Sequence, residues 1–298
     1  MSRNPSRCAL FFALLSLACQ GKPAAPAPSP APTPAKPSTL QAAPAPTPAS
    51  TPAAASAPAP VKKDFDPRAA LHALYGGDAT KETATWKPNK AELRAAISDP
   101  EEAIGVDSLP EEMIVRVAKH KTFSLGGKDY ALLIVESFDE GDEDSHAEGH
   151  AYGGALYVQE AGEWKELSKR LHITNAGSWG EGGTVSFVQI GPERYGVEIG
   201  SGFSGQGYTT ENDSLYDSFA GFASIFSHES SADNGGACEG ADCFSVKRSR
   251  SYLPGPNPTF YDLEVKSSGT EENDAGKVVP ATKTERFRHD GTSYQLVK

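Results

Sequence analysis

From Ile114 onward the chain alternates apolar and polar residues over short stretches, each broken by a glycine turn and restarted by an aromatic residue. Three stretches share the pattern: residues 123–135 around Gly126-Gly127 and Tyr130, residues 155–167 around Gly162 and Trp164, and residues 286–297 around Asp290-Gly291 and Tyr294. Alternation with period two puts every second side chain on one face, which predicts half-buried strands, and the short turns predict that consecutive strands pair as hairpins. At Asp290-Gly291 the dipeptide suits a type I′ turn, whose central residues need positive φ. A fourth hairpin is predicted between residues 185–190 and 195–199 through Gly191-Pro192-Glu193-Arg194. No regular period of about 40 residues runs through these units, so a propeller is not expected. The pattern predicts a mainly β, α+β fold: an antiparallel hairpin meander, sandwich or open barrel over residues 113–298.

Residues 62–112 read instead as a small helical part. Asp66 is placed as an N-cap with Pro67 at the first helical position; Ala70, Leu71, Leu74 and Tyr75 then keep helical spacing until Gly76-Gly77. A second helix is signalled by Asn89 as cap and Glu92 three residues on, with Leu93, Ala96 and Ile97 on one face and Pro100 as the stop. Leu215, Tyr216, Phe219, Phe222, Ala223 and Phe226 also fall at helical spacing. Gly221 and the aromatic content allow two short strands there, but the spacing favours a helix.

Ahead of these elements the grammar is that of an address. Arg3 and Arg7 precede an apolar run of ten, Ala9 to Ala18. A membrane-spanning helix needs about 20 residues, whereas this length suits a signal peptide over residues 1–18. The segment Ser16-Leu17-Ala18-Cys19 resembles the lipobox of bacterial lipoproteins, with Ser16 where that family usually has leucine. The resemblance implies cleavage before Cys19 and a membrane anchor on its thiol. With Gln20 following, it implies an outer-membrane lipoprotein of a Gram-negative envelope, facing the periplasm or the cell surface. Residues 19–61 are then a spacer: Lys22 to Val61 is almost wholly Ala, Pro, Ser and Thr and holds 13 of the 23 prolines. Such a stretch builds no core and extends at roughly 3.1 Å per residue, so about 40 residues reach on the order of 120 Å.

Charge narrows the partners. All 39 acidic residues lie after residue 63, against 22 of the 28 basic ones, so the folded part carries a net −17. That repels phosphate backbones and argues against nucleic acid, while a cationic partner or an envelope protein is compatible with it. With Cys8 in the signal and Cys19 in the anchor, Cys238 and Cys243 remain as an even pair, which in an oxidising compartment reads as a disulfide.

Two stretches carry candidate chemistry. Residues 139–150 set carboxylates beside two imidazoles; Asp142, Asp144, His146 and His150 are a candidate set for a divalent metal, since His146 and His150 would share a face if the segment turned helically. The stretch matches neither the EF-hand loop nor H-E-x-x-H. Gly141, Gly149, Gly153 and Gly154 favour reading it instead as a solvated, mobile acidic loop between two strands. Residues 200–208 contain G-x-G-x-x-G after a strand-like run, but acids follow and no P-loop lysine is present. They read as a flexible or sharply turned loop, with Gly202, Gly205 and Gly207 beside an exposed Trp179 as a candidate ligand site. No catalytic set assembles.

Several segments (Gly154-Ala155, Trp164, Gly177-Ser178-Trp179-Gly180, Val188-Gln189-Ile190-Gly191, Gly205-Gln206-Gly207-Tyr208) loosely resemble uncharacterised secreted bacterial proteins, a resemblance that implies no activity. The expectation is a non-catalytic envelope lipoprotein without cofactor, a binding or assembly module on a long spacer. The alternative is a periplasmic metal-binding protein or hydrolase built on residues 139–150.

Overall fold

A computed structural model describes residues 63–95, 105–139 and 149–298. Helix α1, Pro67–Tyr75, begins as its cap dictates: the Asp66 carboxylate accepts from the backbone N–H of Arg68 (3.0 Å) and Ala69 (3.1 Å), and Gly76, at φ +83°, ends it. Helix α2, Lys90–Ala95, is capped by Asn89, which accepts from the Glu92 N–H and donates back to the Glu92 carboxylate, both at 3.3 Å. Leu93 is half-buried, whereas Ala96, Ile97 and Pro100 lie outside the described residues. Between the helices runs a strand that the periodicity did not predict, β1 (Thr83–Trp86), too short for alternation to stand out; Ala84 and Trp86 are its buried face.

Strands make up 60% of the described residues, all in antiparallel ladders that do not close into a barrel, so the fold is the mainly β, sandwich-like one expected. The first sheet is a six-stranded meander of β1, β2 (Met113–Leu125), β3 (Lys128–Phe138), β4 (His150–Glu160), β5 (Glu163–Ser178) and β6 (Glu181–Gly182). The second has nine strands. It runs from β7 (Thr184–Gly191) through β8 (Arg194–Gly205), β9 (Tyr208–Asp217), β10 (Ala223–Asp233), β11 (Ser245–Leu253) and β12 (Asp262–Glu272) to β14 (Lys283–His289) and β15 (Tyr294–Leu296), with β13 (Val278–Pro280) paired to β12.

The four expected hairpins are β2–β3, β4–β5, β7–β8 and β14–β15. Gly126 and Gly127 both take positive φ, as a two-residue turn of that hand requires. The last hairpin departs from the expected turn: four residues, 290–293, separate His289 from its partner Tyr294, and only Gly291 has positive φ. Asp290 serves instead as an acceptor for the N–H groups of Thr292 (2.8 Å) and Ser293 (3.0 Å).

Residues 215–226 are strand, not helix. β9 and β10 pair through them, joined by a 3-10 turn at Ser218–Ala220. Asp217 drives the turn, its carboxylate accepting from the Phe219 N–H at 3.1 Å, and Gly221 (φ +65°) and Phe222 (φ +60°) send the chain back. The turn, which carries Phe219 and Phe222, and a bulge between Ser224 and Phe226 together interrupt the alternation, and the apolar residues are left at helical spacing.

The middle of the first sheet is buried on both faces. Ala131, Leu133 and Val135 of β3 pack under α1 and β1 with Leu71 and Trp86. Leu132 and Ile134, on the opposite face, meet Val197, Ile199, Tyr216 and Phe222 of the second sheet. Gly153 and Gly154, read from sequence as loop residues, lie in the centre of β4 and permit this double packing. A Cβ on Gly153 would sit 2.1 Å from the Tyr75 hydroxyl, and one on Gly154 would sit 2.7 Å from Ile134 Cδ1. The Tyr75 hydroxyl donates to the Leu171 carbonyl at 2.8 Å, tying α1 to β5.

The Gly153→Ala variant is therefore expected to displace Tyr75 and lose about 1–3 kcal/mol, as overpacking does. Tyr75→Phe, which loses only the hydrogen bond, should lose about 1 kcal/mol. Urea denaturation of both variants checks the order.

Candidate functional site

The second sheet is strongly curled. Arg250 on β11 reaches Asp213 on β9 at 2.7 Å and Glu198 on β8 at 3.1 Å. In a flat sheet three strand spacings would hold β11 and β8 about 14 Å apart, so these contacts cross the hollow of a curve. The hollow is layered. At one end Leu215, Ile225, Leu263 and Phe260 form an apolar core. In the middle, Glu198 accepts from the Tyr252 hydroxyl (2.7 Å) and from Ser186 (3.1 Å) while pairing with Arg250. Towards the other end, Arg248 is held between Glu229 (2.6 Å) and Glu271 (3.0 Å). There the hollow opens as a cleft of about 660 Å³.

Glycine shapes the cleft. Gly200 and Gly202 leave one face of β8 without side chains; a Cβ on Gly200 would meet Thr184 Oγ1 at 2.5 Å and Asp213 Oδ1 at 2.6 Å. The rim is the hairpin β5–β6, whose two-residue tip is Trp179-Gly180, at φ +60° and +71°. A left-handed conformation costs a bulky L-residue roughly 1–2 kcal/mol, and such strain collects at functional positions. Trp179 is 47% exposed and Phe203, also lining the cleft, 53%.

That rim is held from two sides. Ser201 Oγ accepts from the Gly177 N–H at 3.0 Å, and Ser178 Oγ donates to the Gly202 carbonyl at 2.9 Å. Below, His150 lies between the Glu136 carboxylate (Nδ1, 3.0 Å) and the Gly180 carbonyl (Nε2, 3.2 Å), and the Tyr152 hydroxyl donates to the Gly183 carbonyl at 3.0 Å. Gly182 makes the fit possible, since a Cβ there would approach all three side chains within 2.9 Å. Each His150 ring nitrogen thus faces an oxygen, one on β3 and one at the tip of the rim. The His150 bond and then Arg116, at 2.6 Å, hold the Glu136 pKa below its ordinary range against the opposing effect of burial.

The sequence-derived candidates divide. Trp179 and Gly202 line the cleft. Gly205 instead lies beneath the Phe203 ring, whose Cζ is 2.8 Å from where a Cβ would stand. Gly207 is a hairpin turn residue at φ +83°, packed on Gly236, whose N–H donates to the Gly207 carbonyl at 3.1 Å. Residues 200–208 are thus strand, tight turn and strand, not a flexible loop, because β8 and β9 pair from Gly196 to Gly205. Cys238 and Cys243 are joined in a disulfide, Cα–Cα 5.1 Å, in the loop that abuts this turn. His150 is buried in the seat of the rim; Asp142, Asp144 and His146 lie outside the described residues, as does Cys19. Among the described residues no cluster of three metal-ligating side chains occurs, and no helix is long and apolar enough to cross a membrane.

Sequence reasoning missed the charged belt. Arg248, Arg250 and Tyr252 repeat with period two on β11 and so share one face. That repeat was legible, but an isolated strand pattern does not say whether such a face looks outward or into a curl. No known protein family, curated protein or solved structure matches the chain.

Two outcomes are expected. His150→Ala removes the donor to Gly180, so amides of residues 177–182 should exchange hydrogen faster while those of β8 and β9 keep their protection. His228, beside Arg250 on the curl's inner side, is held neutral, its pKa pushed down to about 4 by burial and then by Arg250. The unfolded chain then takes up a proton near pH 6.5 that the folded chain refuses until about 4. Stability should fall as pH drops across that window, and thermal melts of His228→Gln should show a shallower fall.

Proposed function

We propose that this chain is a non-catalytic envelope lipoprotein, a β-rich binding module displayed on a spacer of about 40 residues and holding its ligand in the cleft under Trp179. The address rests on the signal-like residues 1–18 and the lipobox-like segment ending at Cys19. The observation that carries the binding role is the exposed aromatic held at positive φ over a glycine-floored cleft. Exposed aromatic area at a strained, well-supported position suits ligand contact better than packing. Two of the three cleft carboxylates are engaged: Asp213 pairs with Arg250 at 2.7 Å and Glu211 accepts from Ser231 at 2.8 Å, while Glu181 stands on the rim hairpin. Both of those are held by partners within the protein, which supports binding over hydrolysis.

Mass spectrometry of the mature N-terminus should find an acylated Cys19, and Cys19→Ser should leave the membrane fraction. The anchorless protein should co-sediment with purified envelope material, and Trp179→Asn should abolish this without lowering the melting temperature, since asparagine tolerates positive φ. Undiminished sedimentation of Trp179→Asn would overturn the cleft reading.

A further inference from the structure

The lining of the cleft specifies a ligand class. Nine of the described lining residues are serine or threonine and five are glycine, against two aromatics, Trp179 and Phe203. Six of those hydroxyls, on Ser178, Ser201, Ser204, Thr209, Ser231 and Ser268, already bond within the protein and keep further bonding capacity towards the cleft. An apolar ligand would strip water from this polar lining, which costs about 1–3 kcal/mol for each group left without a partner. A polyanion meets Glu181, Glu211 and Asp213 against Lys247 and Arg248, a balance of one net negative charge, on a domain already strongly acidic. The basic side chain deepest in the belt, Arg250, is occupied by Glu198 and Asp213, and Arg248 by Glu229 and Glu271. What remains is a shallow trough of small hydroxyl donors and acceptors, a half-buried backbone at Gly202, and the rings of Trp179 and Phe203.

We infer that the cleft binds a glycan of low net charge, the sugar C–H faces stacking on Trp179 and Phe203 and the sugar hydroxyls bonding to the serine and threonine side chains. A sugar ring is apolar on its faces and polar on its edge. Aromatic plates beside a hydroxyl-rich trough match that division, as an aromatic surface with a few placed polar groups does in ligand sites generally. The rim is pre-organised for it, because the Ser178–Gly202, Ser201–Gly177 and His150–Gly180 hydrogen bonds fix Trp179 before any ligand arrives. This inference rests on the cleft reading above and adds the class of its ligand.

The test uses the anchorless full chain and purified envelope material. The material is oxidised with periodate, which opens sugar rings that carry vicinal diols but spares 1,4-linked N-acetylamino sugars, then quenched and washed before protein is added. Sedimentation should fall at least tenfold after oxidation where the ligand's sugars carry vicinal diols, and an N-acetylamino-sugar ligand is read from the second arm. In a second arm, neutral soluble oligosaccharides of glucose and of N-acetylglucosamine, four units long, are titrated against tryptophan fluorescence. At least one series should bind saturably, with the affinity lowered tenfold or more in Trp179→Asn and severalfold in Phe203→Ala. Sedimentation that survives periodate but is lost in Trp179→Asn, with neither oligosaccharide series bound, overturns the glycan class while leaving the cleft as a binding site for another ligand, a protein among them. Sedimentation that is indifferent to Trp179 overturns both.

Discussion

The architecture depends on one constraint: the central strands of the first sheet are apolar on both faces and need a cover on each. Residues 131–135 of β3 are all fully buried, and β4 is buried over nearly its whole length. A sheet face left open to water would expose several such side chains, each worth about 1.5–3 kcal/mol when fully buried. Helix α1 covers one face and the second sheet the other. The glycine pair Gly153-Gly154 lets both covers approach closely, so the alternation along β4 is replaced by a place where side chains are missing. The chain after residue 62 therefore stacks as helix, sheet and sheet.

The second sheet has one face committed to the first and must dispose of the other. It does so by curling. The inner side of the curl changes character along its length, from the core around Leu215 and Leu263, through the belt of Glu198, Arg250 and Asp213, to the open cleft. A buried charge without a partner is strongly unfavourable, and removing one member of such a group usually costs about 3–5 kcal/mol. The belt consequently specifies the curvature more than it adds stability: Arg250 satisfies acids from two strands only if the sheet bends enough to bring them within reach. The cleft, the belt and the bend are three consequences of the same geometry.

The two sheets meet again at the rim. The hairpin β5–β6 ends the first sheet and immediately precedes β7, the start of the second. Its tip is anchored on the first sheet by His150 and Tyr152 and on the second by Ser178 and Ser201. That double attachment is why a tryptophan can be kept at positive φ there. It also gives a role to a histidine that from sequence looked like half of a metal pair.

The sequence alone determined the mainly β class, four of the hairpins (β2–β3, β4–β5, β7–β8 and β14–β15) and the helix caps, because alternation, turn residues and capping residues are local and act within a few positions. It also determined the net acidity of the folded part and the even cysteine pair after residue 61. Local pattern misled where a 3-10 turn and a bulge broke the alternation, at residues 215–226, and where glycines served close packing, at Gly153, Gly154, Gly205 and Gly207. Only the tertiary structure decided that Gly202 and Trp179 face one cleft while Gly205 and Gly207 do not, and that His150 belongs to a seat under the rim. Those decisions rest on contacts between residues tens of positions apart, such as Gly180 with His150 and Arg250 with Glu198. Curvature sets which side chains converge there, and curvature is a property of the assembled sheet that no single strand carries.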